Sequence, residues 1–255
     1  MITLLNGENL NKKELIPKMD NDNYYYGHLG QHALSSSALK QILQSPKTYR
    51  NILKYGQRET PALILGKLIH WAILEPHKLE PLHIVKASTT GTNIYKDAVK
   101  KYGVENVVLE KDKKMIDRLS DAILRNEAAL ELLQGAEFEV PEIKMIDNLP
   151  FRGKADILKE NHIIDLKSSS SLETFKYSAN KYGYDLQAYI YMNLFKCSRV
   201  SFLVIDKLST DIAIYETSEE FIERGKKKFE TAVGLYKHFF IEGNDLDQYV
   251  MRAIL

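Results

Sequence analysis

Residues 137–169 read EFEVPEIKMIDNLPFRGKADILKENHIIDLKSS, and along them the apolar spacing changes from helical to extended. Three β-rich runs, EFEVPEIKMI, FRGKADIL and HIIDLKSS, are separated by Asp147-Asn148 and by Glu160-Asn161, so the stretch predicts a strand meander. Downstream, a helical pattern covers about 178 to 196. Strands follow at about 199 to 206 and 211 to 216, then a long helix from Ser218 to about Ile241. Upstream, Ser35-Ser36-Ser37 precedes ALKQILQ, where a serine can cap the free N–H groups of a helix that Pro46 should end or kink. A second helix is expected from about Pro61 to Leu74. Its PALILGKLIHWAIL is apolar nearly all round, which predicts burial. Helical patterns return near 93 to 101 and 110 to 133. Helices, a meander, a crossover helix and further strands together predict an α/β fold with a mixed central β-sheet and helices on both faces.

The chain has 255 residues, 44% of them apolar, enough for one large domain, and carries neither an internal repeat nor a low-complexity linker. The expected organisation is a single domain. Residues 1–33 form an irregular N-terminal arm, 34–135 a mainly helical part, 136–243 a sheet-containing core, and 244–255 an unassigned tail. With 35 basic and 34 acidic side chains the formal charge is +1, so any nucleic-acid partner has to be held by a local basic surface. The tightest basic run, Lys226 to Lys228, reads as the solvated face of a helix. No run of eighteen apolar residues occurs, and the start turns polar within six residues, so neither a membrane partner nor a secretory signal is expected and the location should be cytoplasmic. A single cysteine, Cys197, excludes an internal disulfide and a four-cysteine zinc or iron-sulfur site. A Walker-type phosphate loop is missing as well, which argues against a nucleotide cofactor.

The chemistry concentrates in Gly153-Lys154-Ala155-Asp156 and Asp165-Leu166-Lys167. Residues two apart on a strand share a face, so Asp165 and Lys167 project together while Leu166 turns into the opposite layer. Asp156, on the preceding strand, can lie beside them across the ladder. Two carboxylates and an ammonium at this distance suit Mg²⁺ or Mn²⁺, hard cations that keep several waters and take further ligands from a phosphate. Taken alone, the D-x-K spacing of Asp165 and Lys167 most often marks an ion pair on an exposed strand edge. The apolar run Ile163-Ile164-Asp165-Leu166 argues otherwise, because a carboxylate in a buried strand is costly without a metal or a cation.

Five segments in this order, a tyrosine-rich entry at Tyr24–Tyr26, SSSALKQILQSPKTY, LILGKLIHWAILEP, PEIKMIDNLPFRGKADIL with IIDLKSS, and YDLQAYIYM, span about residues 24 to 195. They resemble the RecE-type (exonuclease VIII) exonucleases of phage recombination systems, in the RecB-like branch of the PD-(D/E)XK nuclease superfamily. The resemblance implies the PD-(D/E)XK core, with His70, Glu142, Asp156, Asp165 and the Leu166 carbonyl as metal ligands. Glu139 is an alternative to Glu142. Three residues apart, they face opposite sides of an unbroken strand, so only one can join the site, though Pro141 blurs the alternation. Lys167 matches the lysine that orients or deprotonates the attacking water. Gln187 and Tyr191 match a Q-x-x-x-Y element, whose spacing puts both on one helix face. Ser37, Lys40, Ser45 and Lys47 fall where relatives hold the DNA end, although a helix cap and a solvated lysine explain them equally well.

The function implied is Mg²⁺-dependent 5′ to 3′ digestion of one strand at the ends of linear double-stranded DNA, with Mn²⁺ able to substitute. The product is a 3′ overhang for a single-strand annealing recombinase. The implied assembly is a ring-shaped homo-oligomer, trimer or tetramer, in a bacterial or phage-infected cell. The alternatives are an endonuclease or single-strand-specific nuclease on the same fold, or a DNA-binding protein that kept the fold without the chemistry.

Overall fold

The structure is a computed structural model and describes residues 1–57 and 60–251; the end of the C-terminal tail, 252–255, lies outside the described residues. Its centre is a five-stranded sheet: β1 (Glu137–Ile146), β2 (Leu149–Lys159), β3 (His162–Ser169), β4 (Arg199–Asp206) and β5 (Ile212–Glu216), in that spatial order. β1 to β3 form the expected meander. β3 and β4 are parallel, and β5 returns antiparallel to β4. A parallel pair requires a crossover, and the helices between β3 and β4 supply it.

Nine helices of seven residues or more surround the sheet among the described residues: α1 (Ser36–Gln44), α2 (Pro46–Tyr55), α3 (Pro61–Leu74), α4 (Asn93–Tyr102), α5 (Glu110–Arg125), α6 (Glu127–Leu133), α7 (Phe175–Lys181), α8 (Tyr184–Phe195) and α9 (Glu219–Tyr236). Leu39, Ile42, Leu186 and Phe229 from α1, α8 and α9 pack with Phe151 and Ile163. Leu68, Ile69, Ile116 and Leu119 from α3 and α5 pack with Ile157, Ile164, Leu166 and Leu203. Neighbouring residues of β3 thus serve different cores, as a strand covered on both faces must. Each side chain so buried contributes roughly 1.5–3 kcal/mol, and this apolar frame is what can carry a buried charge.

Several elements depart from the sequence expectation. The helix predicted near 178 to 196 is two helices, broken at Gly183, whose φ of +66° suits glycine. Pro46 both stops α1 and opens α2: it stands at the first position of the new helix, where its missing N–H costs nothing. Ser35 caps α1 by accepting the Ala38 N–H, as expected. The predicted burial of α3 holds only for its second half. Pro61, Ala62 and Leu63 are exposed, and Leu68, Ile69, Ile73 and Leu74 are buried. Two short parallel strands, His83–Val85 and Val107–Leu109, flank α4 and were not anticipated.

The N-terminal arm is not irregular. Its short helical turns bury Leu15, Met19, Tyr25 and Leu29 in a core of their own against Ile143. Leu34 continues the sheet by bridging to Phe151, donating to the Pro150 carbonyl and accepting the Arg152 N–H, each at 2.8 Å. The Arg152 guanidinium, itself buried, donates to the Leu29 carbonyl and lies 4.3 Å from the Tyr25 ring centre. Lys228 is not on a solvated face either. With Arg224 it binds the fully buried Asp185 at the start of α8, at 2.7 and 2.8 Å. This contact sits where α9 passes so close to α8 that a side chain at Gly225 would strike the Asp185 carbonyl. Among the described residues no helix is long and apolar enough to cross a membrane.

Candidate active site

Both hairpins of the meander close with two-residue turns, and these set the geometry of the site. Asp147 and Asn148 have φ of +51° and +62°, the left-handed pair that matches strand twist, and the turn pairs Ile146 with Leu149. Counting back along the ladder, Phe138 faces Ile157 and Val140 faces Ala155, so Glu139 stands opposite Asp156. The same count for the second turn, from Lys159 facing His162 to Ile157 facing Ile164, brings Asp156 level with Asp165.

At that level the ladders open. The Glu139 and Asp156 pair is missing from the β1–β2 register, and Glu139 has φ of +50°, a conformation costing a residue with a side chain about 1–3 kcal/mol. The β2–β3 pairing stops at Ile157 and Ile164, and beyond it the Asp156 carboxylate takes the Leu166 N–H at 2.8 Å. A side chain replaces a strand carbonyl as hydrogen-bond acceptor, the two strands part, and Leu34 takes up the freed edge of β2.

Three potential ligand atoms converge in this gap. His70 on α3, Glu139 on β1 and Asp156 on β2 each present one within 4.8 Å of the others, and His70 Nδ1 is 3.6 Å from Asp156 Oδ2. Asp165 adjoins them. One of its oxygens accepts from Gln187 Nε2 at 2.8 Å; the other is ion-paired with the Lys167 ammonium. Burial pushes the Asp165 carboxyl upward, with Asp156 adding to the rise and Lys167 opposing it. Burial, then Asp156 and Glu75, raise Glu139 to about 8, against the pull of Lys154 and Lys78. Lys167 is half-buried, yet Asp165, Asp156 and Tyr184 outweigh the desolvation and hold its proton more tightly than usual.

An excess of carboxylates over cations at close range and an imidazole nitrogen turned toward them fit a hard divalent cation. His70, Glu139, Asp156 and Asp165 are the side chains that would hold it. This geometry brings Glu139 into the cluster and leaves Glu142, the residue preferred on sequence, outside it. Glu142 lies opposite Gly153, forms an ion pair with Lys12 at 2.6 Å and accepts the Ile143 N–H. The turn at Asp147-Asn148 carried the signal that decides between them, because a two-residue turn fixes the register.

Gln187 and Tyr191 do share a face of α8. Gln187 reaches Asp165, whereas the buried Tyr191 phenol donates to the Lys154 carbonyl at 3.0 Å and props β2 from beneath. Glycine at 153 follows from this packing, since a side chain there would meet Tyr191 at 3.0 Å and Leu194 at 2.8 Å. Of the four residues expected to hold the DNA end, Lys40 reaches the centre. It packs on Gly183, and burial together with the neighbouring Lys167 lowers it to about 8. Ser37 is exposed in the first turn of α1, Ser45 caps α2 through the Lys47 N–H, and the Lys47 ammonium pairs with Asp247 at 3.1 Å. Sequence reasoning assigned no role to Lys154, whose ammonium lies 5.1 Å from the Tyr25 ring centre and 3.5 Å from Asp22, or to Tyr184, beneath Lys167.

Comparison with curated proteins finds no match. Among solved structures the fold resembles that of a candidate exonuclease from Eubacterium rectale, at 14% identity and a TM-score of 0.64, with 98% of this chain and 97% of that one covered. A phage related exonuclease from Haemophilus somnus 129PT is similar at 16% identity over 68% of this chain and 96% of its own, but at a TM-score of 0.34. Residues 35–245 match the model of the PDDEXK-like domain of unknown function (DUF3799), which takes in α1 through α9, the whole sheet and every residue of the cluster, and the chain belongs to that family.

Proposed function

We propose that the chain is a divalent-metal-dependent DNA exonuclease that acts on linear duplex ends. The observation that carries this reading is the convergence of His70, Glu139 and Asp156 beside Asp165 and Lys167, at the place where β2 and β3 part. When bound, Mg²⁺ or Mn²⁺ supplies Lewis-acid activation of water and charge neutralisation at the phosphate. The chain's own residues do the rest. Asp156 and Asp165 hold the charge in place, with Gln187 fixing the orientation of Asp165 and the Leu166 N–H that of Asp156. Lys167 enters as an ammonium and is positioned to hold the attacking water or a phosphate oxygen, a role for a compact and flexible cation. Lys40 adds a second positive group on the same side.

The 5′ to 3′ polarity, the 3′ overhang handed to a single-strand annealing recombinase, and a ring of three or four subunits belong to this reading through the resemblance to RecE-type enzymes. A ring would also explain how a subunit of formal charge +1 stays on DNA, since basic side chains from several copies would line one channel. The test is a duplex labelled at either the 5′ or the 3′ end, incubated with Mg²⁺, with Mn²⁺ or with EDTA, beside a covalently closed circle. Metal-dependent release of nucleotides from one labelled end, with the circle intact, is expected. Cutting of the circle would replace the exonuclease by an endonuclease, and no cutting in any arm would leave a binding protein.

A further inference from the structure

Beside Lys167 the surface turns aromatic and basic. The Lys167 ammonium lies 5.1 Å from the ring centre of Tyr184 at the start of α8. That ring is 6.1 Å from the ring of Tyr182 and tilted 36° to it, and Lys181 Nζ lies 5.7 Å from the Tyr182 centre. From Lys167 outward the order is cation, ring, ring, cation. Tyr184 is supported from within by Phe175 at 5.9 Å and Phe202 at 5.6 Å, and Tyr215 stacks on Phe175 at 4.8 Å. Tyr182 is 52% exposed. Gly183 between the two tyrosines packs against Lys40, so a second lysine borders the row.

A single exposed tyrosine means little, since much of any protein surface is apolar. Here the exposed ring continues a supported row that begins at the site lysine, and the segment from Ser171 to Tyr182 carries Lys176 and Lys181 against one acid, Glu173. Rings that offer π-faces between cations fit a polyanion carrying flat, unstacked bases, and a duplex hides those faces inside its stack.

We propose that Tyr182 and Tyr184, flanked by Lys181 and Lys167, form a stacking platform for unpaired nucleobases of the strand held at the site. The inference rests on the nuclease reading and narrows its substrate: the strand beside Lys167 is single. Tyr182 is a positioning residue here, acting on bases and not on the reacting phosphate.

The experiment measures fluorescence anisotropy of the whole chain in EDTA, with three probes: a thymidine oligonucleotide, an abasic strand of equal length, and a blunt duplex. The wild type should bind the thymidine strand more tightly than the abasic one. Tyr182→Ala should weaken the thymidine strand by about fivefold or more, the scale of one lost base stack, and leave the abasic strand unchanged. Tyr182→Phe should restore binding. Tyr182→Leu keeps apolar bulk without the π-face, should behave as the alanine variant does, and serves if that variant fails to fold. Equal affinity of the wild type for thymidine and abasic strands, or unchanged thymidine binding in Tyr182→Leu, would overturn the platform. Nucleotide release by the wild type with Mn²⁺ is measured in parallel. Its loss alone would remove the nuclease reading, while the EDTA binding still decides the platform.

Discussion

Asp185 and Asp165 are both buried aspartates, one at the start of α8 and the other on the strand that α8 covers, and they are treated in opposite ways. Asp185 is 0% exposed and fully engaged: its oxygens meet the Leu186 N–H, Arg224 and Lys228. Asp165 is 2% exposed: one oxygen accepts from Gln187, the other meets the Lys167 ammonium, and Asp156 stands beside it as a second carboxylate. A satisfied carboxylate locks two helices together. One that shares a single lysine with a neighbouring carboxylate, and is kept in place by an apolar frame, leaves net negative charge for a further cation.

The sharpest way to break this contrast is to remove each aspartate. Asp165→Ala should reduce metal-dependent nucleotide release by about 10²- to 10³-fold or more, the scale of losing one electrostatic group from a site, while the protein still folds. Asp185→Ala should do the reverse. It should cost about 3 kcal/mol in denaturant unfolding, the low end for a broken buried pair because Arg224 and Lys228 can reach water, and leave activity per folded molecule nearly unchanged. If Asp185→Ala abolished catalysis in folded protein, the division of labour would be wrong.

Next in size is the choice between two glutamates. Glu139→Gln should weaken Mn²⁺ binding by tenfold to a hundredfold or about that, since even residues behind metal ligands have effects on this scale. Glu142→Gln should leave Mn²⁺ titration unaltered, because its carboxylate is engaged with Lys12.

The pH dependence follows from Glu139. Its carboxyl is raised to about 8 in the metal-free fold from an ordinary value near 4.5, so the folded state binds that proton more tightly than the unfolded chain does. Its stabilising effect is complete below about pH 4.5 and is lost as pH climbs toward 8. Metal binding requires the proton to leave, so Mn²⁺ affinity should rise with pH below 8, approaching about tenfold per unit. Thermal midpoints with and without Mn²⁺ near pH 5.5 and pH 8 should diverge as pH rises, and a pH-independent gap would contradict the assignment. The smallest effect concerns support: Gly153→Ala should cost about 1–3 kcal/mol through contact with Leu194 and Tyr191, read as a lowered midpoint.

The sheet was legible because its signals are local. Alternating apolar residues and two turn pairs define β1 to β3, and the spacing of Asp165 and Lys167 places them on one face. The choice of Glu139 was present in the turn length but required carrying the register along the whole hairpin, past a residue with left-handed backbone. The arm was not legible. Its turns of four to six residues are too short to be stable alone, and they persist through the contacts of Tyr25, Leu29 and Leu34 with β1 and β2. Lys228 misled for a similar reason: the run at 226–228 carries no mark of the buried aspartate that one of its members serves.

The two hairpin turns act as spacers of fixed length. One extra residue in the Asp147-Asn148 turn would bring Phe138 or Val140 level with Asp156 in place of a carboxylate, and one more in the Glu160-Asn161 turn would bring Ile164 or Leu166 there in place of Asp165. Any length change that shifts the register at these two tips would therefore dismantle the cluster, although hairpin tips are ordinarily where length varies most cheaply. Tags, fusions and natural insertions have to find other places, and the connection between His83–Val85 and α4 is one that no carboxylate depends on.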